Sequence, residues 1–429
     1  MSNNAKPTSV HNEGKLALTP KLRFPEFLDA QGWESSLLND ALLTLSNGLT
    51  LEQSNDSSGY KVTRIETISS GKIDLEKVGY VNSHQDLSAY KLQVGDILLS
   101  NINSLVHIGK SVFVDNDYDL YHGMNLLRLV VNRNKHDPRF IFQLISTNGI
   151  RASIRQRANK AVNQASINQT ELGKTELALP LIREQQKIAS CLTSADELIA
   201  DQARKVAELK AHKKGLMQQL FPQEGETQPR RRFPGFQNSG EWKSEPLGNL
   251  GEIITGKTPS TSASDLWDGD ILFITPTDIS EDEKYQNSTA RTVVETKSTK
   301  ILPAGSVVYT CIASIGKMAL TVHPSITNQQ INAVVPNEKA LGEFIYYALA
   351  NLTPWIKTIP ASSTLAIINK TDFSKISILH PEGKKEQQRI ADCLTSLDDL
   401  IAEQTQKLET FKTHKRGLMQ QIFPSVVEV

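Results

Sequence analysis

The sequence predicts an α+β protein: two pseudo-symmetric globular α/β halves separated by a long antiparallel two-helix coiled coil. Three observations predict it. A stretch of 39 residues is used twice, at 184–222 and 386–424, with 25 of 39 positions identical at a constant offset of 202. Within each copy, apolar residues recur at heptad spacing. The regions before each copy mix strand-like and helix-like segments without the regular alternation of a doubly wound sheet.

The first copy places Ile188, Leu192, Ala195, Ile199, Val206, Leu209, Leu216 and Leu220 on one seam. The second places Ile390, Leu394, Leu397, Ile401, Leu408, Phe411, Leu418 and Ile422 there. Steps of four and three alternate once Gln202, Gln404, Lys213 and Lys415 count as polar seam positions. This is the narrow stripe of a coiled coil, not the wider face of a globular helix. At about 1.5 Å per residue, each copy makes a rod about 50 Å long. One such helix alone leaves its seam in water, so its simplest partner is its own copy. Gln202 and Gln404 interrupt the seam at equivalent positions and are expected to lie near each other or on a docking face.

Composition excludes more than it selects. At 429 residues the chain has room for two or three domains, each able to bury a core. Its 47 basic and 47 acidic residues balance, so nucleic-acid affinity must come from local patches or a partner. Cys191, Cys311 and Cys393 are too few and too far apart for a disulfide framework, and the first and last occupy equivalent helix positions. No apolar run approaches membrane-spanning length, and the polar start MSNNAKPTSVHNEGK is no signal peptide. A cytoplasmic protein is expected.

In chain order, residues 1–15 read as an unstructured N-terminus. KLRFPEFLDAQGWE, from 21 to 34, is answered by RRFPGFQNSGEWK, from 231 to 243, with Phe24 matching Phe233 and Trp33 matching Trp242 at offset 209. Residues 94–100 and 304–310 each read as a turn leading into a buried strand, and each leads on to the same tripeptide, Ile108-Gly-Lys110 and Ile315-Gly-Lys317. Further strands are predicted over 126–131, 331–335, 177–179 and 376–379. Asp137 and Pro138 cap a helix carrying Phe140, Ile141, Leu144 and Ile145, with a counterpart over 341–352. The implied boundaries are a first globular half at 16–180, a helix at 181–222, a second half at 223–380, and a second helix with the C-terminus at 381–429.

One motif suggests enzymatic chemistry. The run from Gly251 to Thr258, GEIITGKT, fits the phosphate-binding loop pattern letter for letter. That chemistry needs a strand, then a loop whose amides cradle phosphate, then a helix N-terminus. Here Pro259 and a Ser/Thr/Ala run follow, which is poor helix-starting material, and no strand-borne acid for Mg²⁺ stands out. No nucleophile elbow, zinc-protease signature or adenine-gripping methyltransferase tetrapeptide is found, and His84, His107, His122 and His136 share no ligand spacing. The sequence expects no catalytic or metal-binding residues.

Polar loops carry the better signal. Ser100, Asn101, Asn103, Ser104, His107 and Lys110 group amides, hydroxyls and a cation, and Arg64 lies upstream. Asn163, Gln164, Ser166, Asn168 and Gln169 follow a cationic run of Arg151, Arg155, Arg157 and Lys160. The second half offers Lys257, Thr258 and Ser260; Thr275 and Thr277; Thr310, Ser314 and Lys317; Asn328, Gln329 and Gln330; and Ser362 and Ser363. Side-chain amides pair with adenine in the major groove and arginine or lysine with guanine, while nearby cations hold phosphates.

Two variable halves, each followed by a near-identical helix beginning EQQ and ending GLMQQ(L/I)FP, resemble the specificity subunit of a type I restriction–modification system. TGKTPSTSASDLWDGDILFITPTDI, from 255 to 279, is similar to the opening of a target recognition domain in that family. The first half departs from it, with Asn47-Gly-Leu-Thr50 where Gly-Lys-Thr-Pro is expected. The resemblance implies a non-catalytic subunit whose two recognition domains each read one part of a bipartite double-stranded DNA target. It implies that the helices set the spacing and dock two modification subunits, with restriction subunits joining them. S-adenosylmethionine, ATP and Mg²⁺ would then sit on the partner subunits, and none in this chain. The competing readings are a phosphate-loop nucleotide-binding protein and a coiled-coil scaffold with no role on DNA.

Overall fold

The computed structural model describes residues 19–161, 164–223, 225–297, 299–358 and 367–424. The predicted unstructured stretch at 1–15 lies outside them. The chain forms two compact units, one of residues 1–199 with 410–429 and the other of residues 200–409. Each unit thus takes its own globular part, the beginning of one long helix and the end of the other. The two helices are Ile182–Leu220 and Lys384–Ile422, close to the predicted 184–222 and 386–424.

In the first unit a four-stranded antiparallel sheet runs in the order Leu42–Asn47, Leu126–Val131, Ile97–Ser100, Ser111–Phe113. The central strand Ile97–Ser100 is buried along its whole length because both faces are covered. Ile97 and Leu99 join a core with Phe140, Ile141, Leu144 and Ile145, whereas Leu98 faces a second core with Ile68, Val78 and Val112. The helix Pro138–Ile145 starts as predicted, with the Phe140 amide donating to Asp137 Oδ1 at 2.9 Å.

The second unit repeats this sheet as Gly251–Thr255, Ile331–Pro336, Val307–Thr310, Met318–Thr321, and adds the short parallel strand Tyr285–Gln286. A separate three-stranded sheet joins Thr292–Val293, Trp267–Ile274 and Ser325–Thr327. The helix Gly342–Ile356 covers the core through Phe344, Ile345, Tyr347 and Leu349.

In both units the first strand of the head pairs with the last strand before the long helix. Glu34–Leu37 pairs with Glu176–Leu179, and Lys243–Pro246 with Ser377–His380. Beneath each pair sits the matching tryptophan. Trp33 packs edge-on against Phe140 and against Phe423, which follows the second long helix. Trp242 packs the same way against Phe344 and against Phe221, which follows the first. Each head therefore holds the start of its own helix and the end of the other, the antiparallel arrangement that the duplicated seam predicts.

The seam follows the heptad reading. Ile188 and Leu192 are buried in the first unit, and Val206, Ile390, Leu394 and Leu408 in the second. Ile199, Leu209, Leu216, Leu397, Ile401, Phe411 and Leu418 are half-buried, as a two-stranded seam allows. Gln202 and Gln404 are buried and hydrogen-bonded to each other, as expected. The two polar lysines form equivalent ion pairs, Lys415 with Asp196 in the first unit and Lys213 with Asp398 in the second.

Candidate nucleic-acid interface

Strand pairing in the first unit unites two polar segments that are far apart in sequence. Ile102–Asn103 pairs with Ala165–Ser166, which pairs in turn with Asn159–Lys160. The Ile167 amide donates to Asn101 O at 2.9 Å and fixes the crossing. Between them lies a cleft of about 530 Å³ whose lining includes Asn47, Asn101, Asn159, Ser166, Asn168 and Gln169. Asn101 Oδ1 is buried here, and Ser100 Oγ next to it in the chain, each with no hydrogen-bond partner among the described residues. A cleft walled by side-chain amides can pair with base edges, which present complementary donors and acceptors.

Beside it, the helix Asn148–Gln156 carries Arg151 and Arg155, and Arg157 caps its end. The Nε atoms of all three are buried and have no partner among the described residues. Burial, and then the neighbouring Arg155 charge, lower the pKa of Arg151, so this group gains from an anion. Arg155 Nη2 donates to Val106 O at 3.2 Å and ties the arginines to the loop of Ser104 and His107. Lys110 closes that loop, with the Ser100 amide donating to Lys110 O at 2.8 Å. Lys160 and Gln164 are exposed nearby in the chain.

The second unit gathers the corresponding loops. Thr258 Oγ1 donates to Gln329 Oε1 at 2.8 Å, and Lys317 Nζ reaches Pro276 O at 3.5 Å. Asn328 Nδ2 donates to Gln330 Oε1 at 3.0 Å, and the Thr275 and Thr277 hydroxyls meet at 2.8 Å. Lys257, Ser260 and Ser314 are exposed on the same set of loops. Gly256 permits a close approach: a Cβ there would lie 2.2 Å from both Thr327 O and Thr327 Oγ1. Gly48 plays the same part in the first unit, where a Cβ would lie 2.0 Å from Gly123 O. The departing Asn47-Gly-Leu-Thr50 segment thus keeps the glycine that the backbone requires.

Several predicted residues are engaged elsewhere. Thr310 is fully buried, and its hydroxyl donates to Ser314 O at 2.5 Å and accepts from the Lys317 amide at 2.9 Å, so it shapes the loop. Arg64 spends its guanidinium on Gln53 Oε1, Asn55 Oδ1 and Ser54 O. Asn163, Ser362 and Ser363 lie outside the described residues. The phosphate-loop match is resolved by the backbone: Gly251–Thr255 is a ladder strand, and the Gly256 amide donates to Ile331 O at 3.2 Å. Only the three-residue turn Ser264–Leu266 follows, so the run offers neither a phosphate cradle nor a helix N-terminus.

The repeated EQQ opening has a role that composition did not reveal. Arg23 grips Glu184 with two bonds, Nε to Oε1 at 2.8 Å and Nη2 to Oε2 at 2.7 Å, and Arg232 grips Glu386 likewise at 2.8 and 2.6 Å. The next glutamine receives a head amide, Asp137 N to Gln185 Oε1 and Leu341 N to Gln387 Oε1, each at 3.0 Å. These groups fix each head on its helix. The matching spacings, Arg23 to Arg232 and Glu184 to Glu386, were the available signal.

Fold and loops together define a duplicated frame that carries a cluster of polar and cationic loops on each unit. Among the described residues no cluster of three or more His, Cys, Asp or Glu could hold a metal, and no helix is long and apolar enough to cross a membrane. The type I restriction modification DNA specificity domain matches the chain twice, over residues 30–211 and 239–410. The type I restriction enzyme MjaX specificity subunit of Methanocaldococcus jannaschii is 32% identical over 412 residues, spanning 93% of this chain and 94% of that one. The HindI specificity subunit of Haemophilus influenzae is 28% identical over 357 residues, spanning 68% and 77%. The fold is shared with an S subunit from M. genitalium (TM-score 0.63, 15% identity, 96% of this chain and 100% of that one). It is shared also with a chain of a type I R-M assembly (TM-score 0.54, 19% identity, 92% and 98%). The chain belongs to the type I restriction–modification DNA specificity family. It is a DNA-recognition subunit, not a catalytic one.

Proposed function

We propose that each globular half reads one part of a bipartite double-stranded DNA target and that the long helices set the spacing between those parts. The observation that carries this reading is the repetition of a polar loop cluster at the same place in both heads. In each, the loop leaves the central strand (Ile97–Ser100 or Val307–Thr310) and closes at the Ile-Gly-Lys tripeptide. The loops differ in sequence while the frame is the same, so two different half-sites would be read from one scaffold. The recognition modules are residues 16–180 and 223–380, and the spacer segments 181–222 and 381–429.

The duplicated outer faces of the helices offer two similar docking surfaces, which supports two modification subunits joined by restriction subunits. S-adenosylmethionine, ATP and Mg²⁺ then belong to those partners, and the assembly works in the cytoplasm. The test is methylation with the cognate modification subunit, mapped base by base. Adenine methylation at a split site whose two parts respond separately to exchange of the two heads is expected. Methylation without sequence choice, or both parts changing after exchange of one head, would overturn the reading.

A further inference from the structure

Arg291 stands apart from the other cations of the second head. Its side chain is exposed, and its guanidinium sits over the Trp267 ring, Cζ 3.4 Å from the centroid. The indole beneath is held firmly. It is buried, packs edge-on against Phe273 at 5.3 Å, and donates from Nε1 to Ser260 O at 3.0 Å. The Arg291 backbone is fixed too, its carbonyl accepting from the Phe273 amide at 3.2 Å and from Thr289 Oγ1 at 2.6 Å. The preceding Ala290 amide donates to Asp278 Oδ1 at 2.8 Å, and Asp278 also receives Thr275. Arg291 is thereby placed between the Ser260 loop and the Thr275–Thr277 turn, two of the loops already in the candidate interface.

A guanidinium stacked on an indole keeps its N–H donors in the ring-parallel plane, where they point outward. Such a fork loses little freedom when it forms two parallel hydrogen bonds. A phosphate contact does not require this, since the exposed Lys257 supplies charge without a fixed plane. The acceptor pair that fits a planar fork in the major groove is O6 and N7 of guanine. We propose that Arg291, braced on Trp267, reads a guanine in the part of the DNA target bound by the second head. This rests on the DNA-reading function proposed above.

The experiment uses the full chain with its modification subunit and duplexes carrying each base pair in turn at every position of the target. Wild type, Arg291→Ala and Arg291→Lys are compared by methylation rate, with thermal unfolding as a check that the exposed substitutions fold. Both variants are expected to lose about 10- to 100-fold of the preference for G·C at one position, within one half-site, and to leave the other half-site unchanged. A uniform loss over all duplexes that Arg291→Lys restores would assign Arg291 to a phosphate and overturn the proposal. So would an unchanged base preference in both variants. If wild type itself shows no base preference, the DNA-reading function fails first, and that result is visible without either variant.

Discussion

Gln202 and Gln404, the same residue of the two repeats, are hydrogen-bonded to each other in a buried part of the seam. Gln202 Nε2 donates to Gln404 Oε1 at 3.1 Å and to Gln404 O at 2.9 Å. A buried polar pair in an apolar seam fixes register at some cost in stability. Any slip of the helices would leave both amides buried and unpaired.

Replacing only Gln202 by Leu is therefore expected to destabilise the protein by about 1–3 kcal/mol, because Gln404 is left without a partner. Replacing both by Leu removes the unpaired group and is expected to raise the unfolding temperature, since two apolar side chains fit the surrounding stripe. The register is then less strictly set. Thermal unfolding of the single and double variants checks the first point. The range of half-site spacings accepted in methylation checks the second, and it should widen.

The joint between head and helix makes a second prediction. Arg23 and Glu184 have side chains only 5% and 1% exposed, and Arg232 and Glu386 11% and 3%. Removing one member leaves an uncompensated buried charge, which costs about 3–5 kcal/mol. Glu184→Ala is expected to cost more than Glu386→Ala, because Glu184 also accepts from Trp33 Nε1 at 3.3 Å whereas Trp242 Nε1 has no partner among the described residues. Hydrogen exchange is the suitable measurement, with protection lost in Glu34–Leu37 for the first variant and in Lys243–Pro246 for the second.

The frame was legible because it is written in periodicities. Heptad steps gave both long helices to within two residues, and the Asp137-Pro138 pair gave the start of the covering helix. The strand over 126–131 was legible from its run of Leu and Val, interrupted by Arg128, whose guanidinium pairs with the buried Asp96. The candidate site was legible only as separate segments. Nothing in the order of residues shows that Ile102 faces Ser166, because that pairing depends on a crossing between strands about 60 positions apart in the chain. Thr310 looked like a ligand-facing hydroxyl for the opposite reason: its backbone partners come from a turn whose shape the sequence does not state. Arg291 was missed because a cation above an aromatic ring leaves no spacing signature.

The arginines of the first head carry a prediction about salt. If Arg155 and Arg157 meet phosphates, Arg155→Ala and Arg157→Ala are expected to weaken DNA binding about equally on all sequences. Each should also lower the slope of log affinity against log salt by about 0.9, the counterion release of one phosphate contact. Binding of the assembled complex to specific and non-specific duplexes over a salt series measures this. A change confined to one base position would instead place the arginine at a base edge.

His122 makes the last prediction, on acid stability. Its ring is buried, and its Nε2–H donates to Leu126 O at 2.9 Å. Burial, with the Arg128 charge adding to it, pushes its pKa down to about 4 from the ordinary 6.5. The unfolded chain therefore binds the proton more readily than the folded one between those two values. Stability is fully present above pH 6.5, falls as pH drops through that window, and levels off for this group below about pH 4. The upper bound of the loss is roughly 3 kcal/mol. His122→Asn keeps an amide able to donate to Leu126 O but cannot titrate. Chemical denaturation at pH 7, 6, 5 and 4 should therefore show the variant less stable than wild type at pH 7 and the gap closing as pH falls. Carboxylates titrating near pH 4 shift both proteins alike, so the difference between them isolates the histidine. A gap that stays constant across the series would mean that the imidazole titrates alike in the folded and unfolded chain, and a gap that widens as pH falls would mean that the fold holds it protonated.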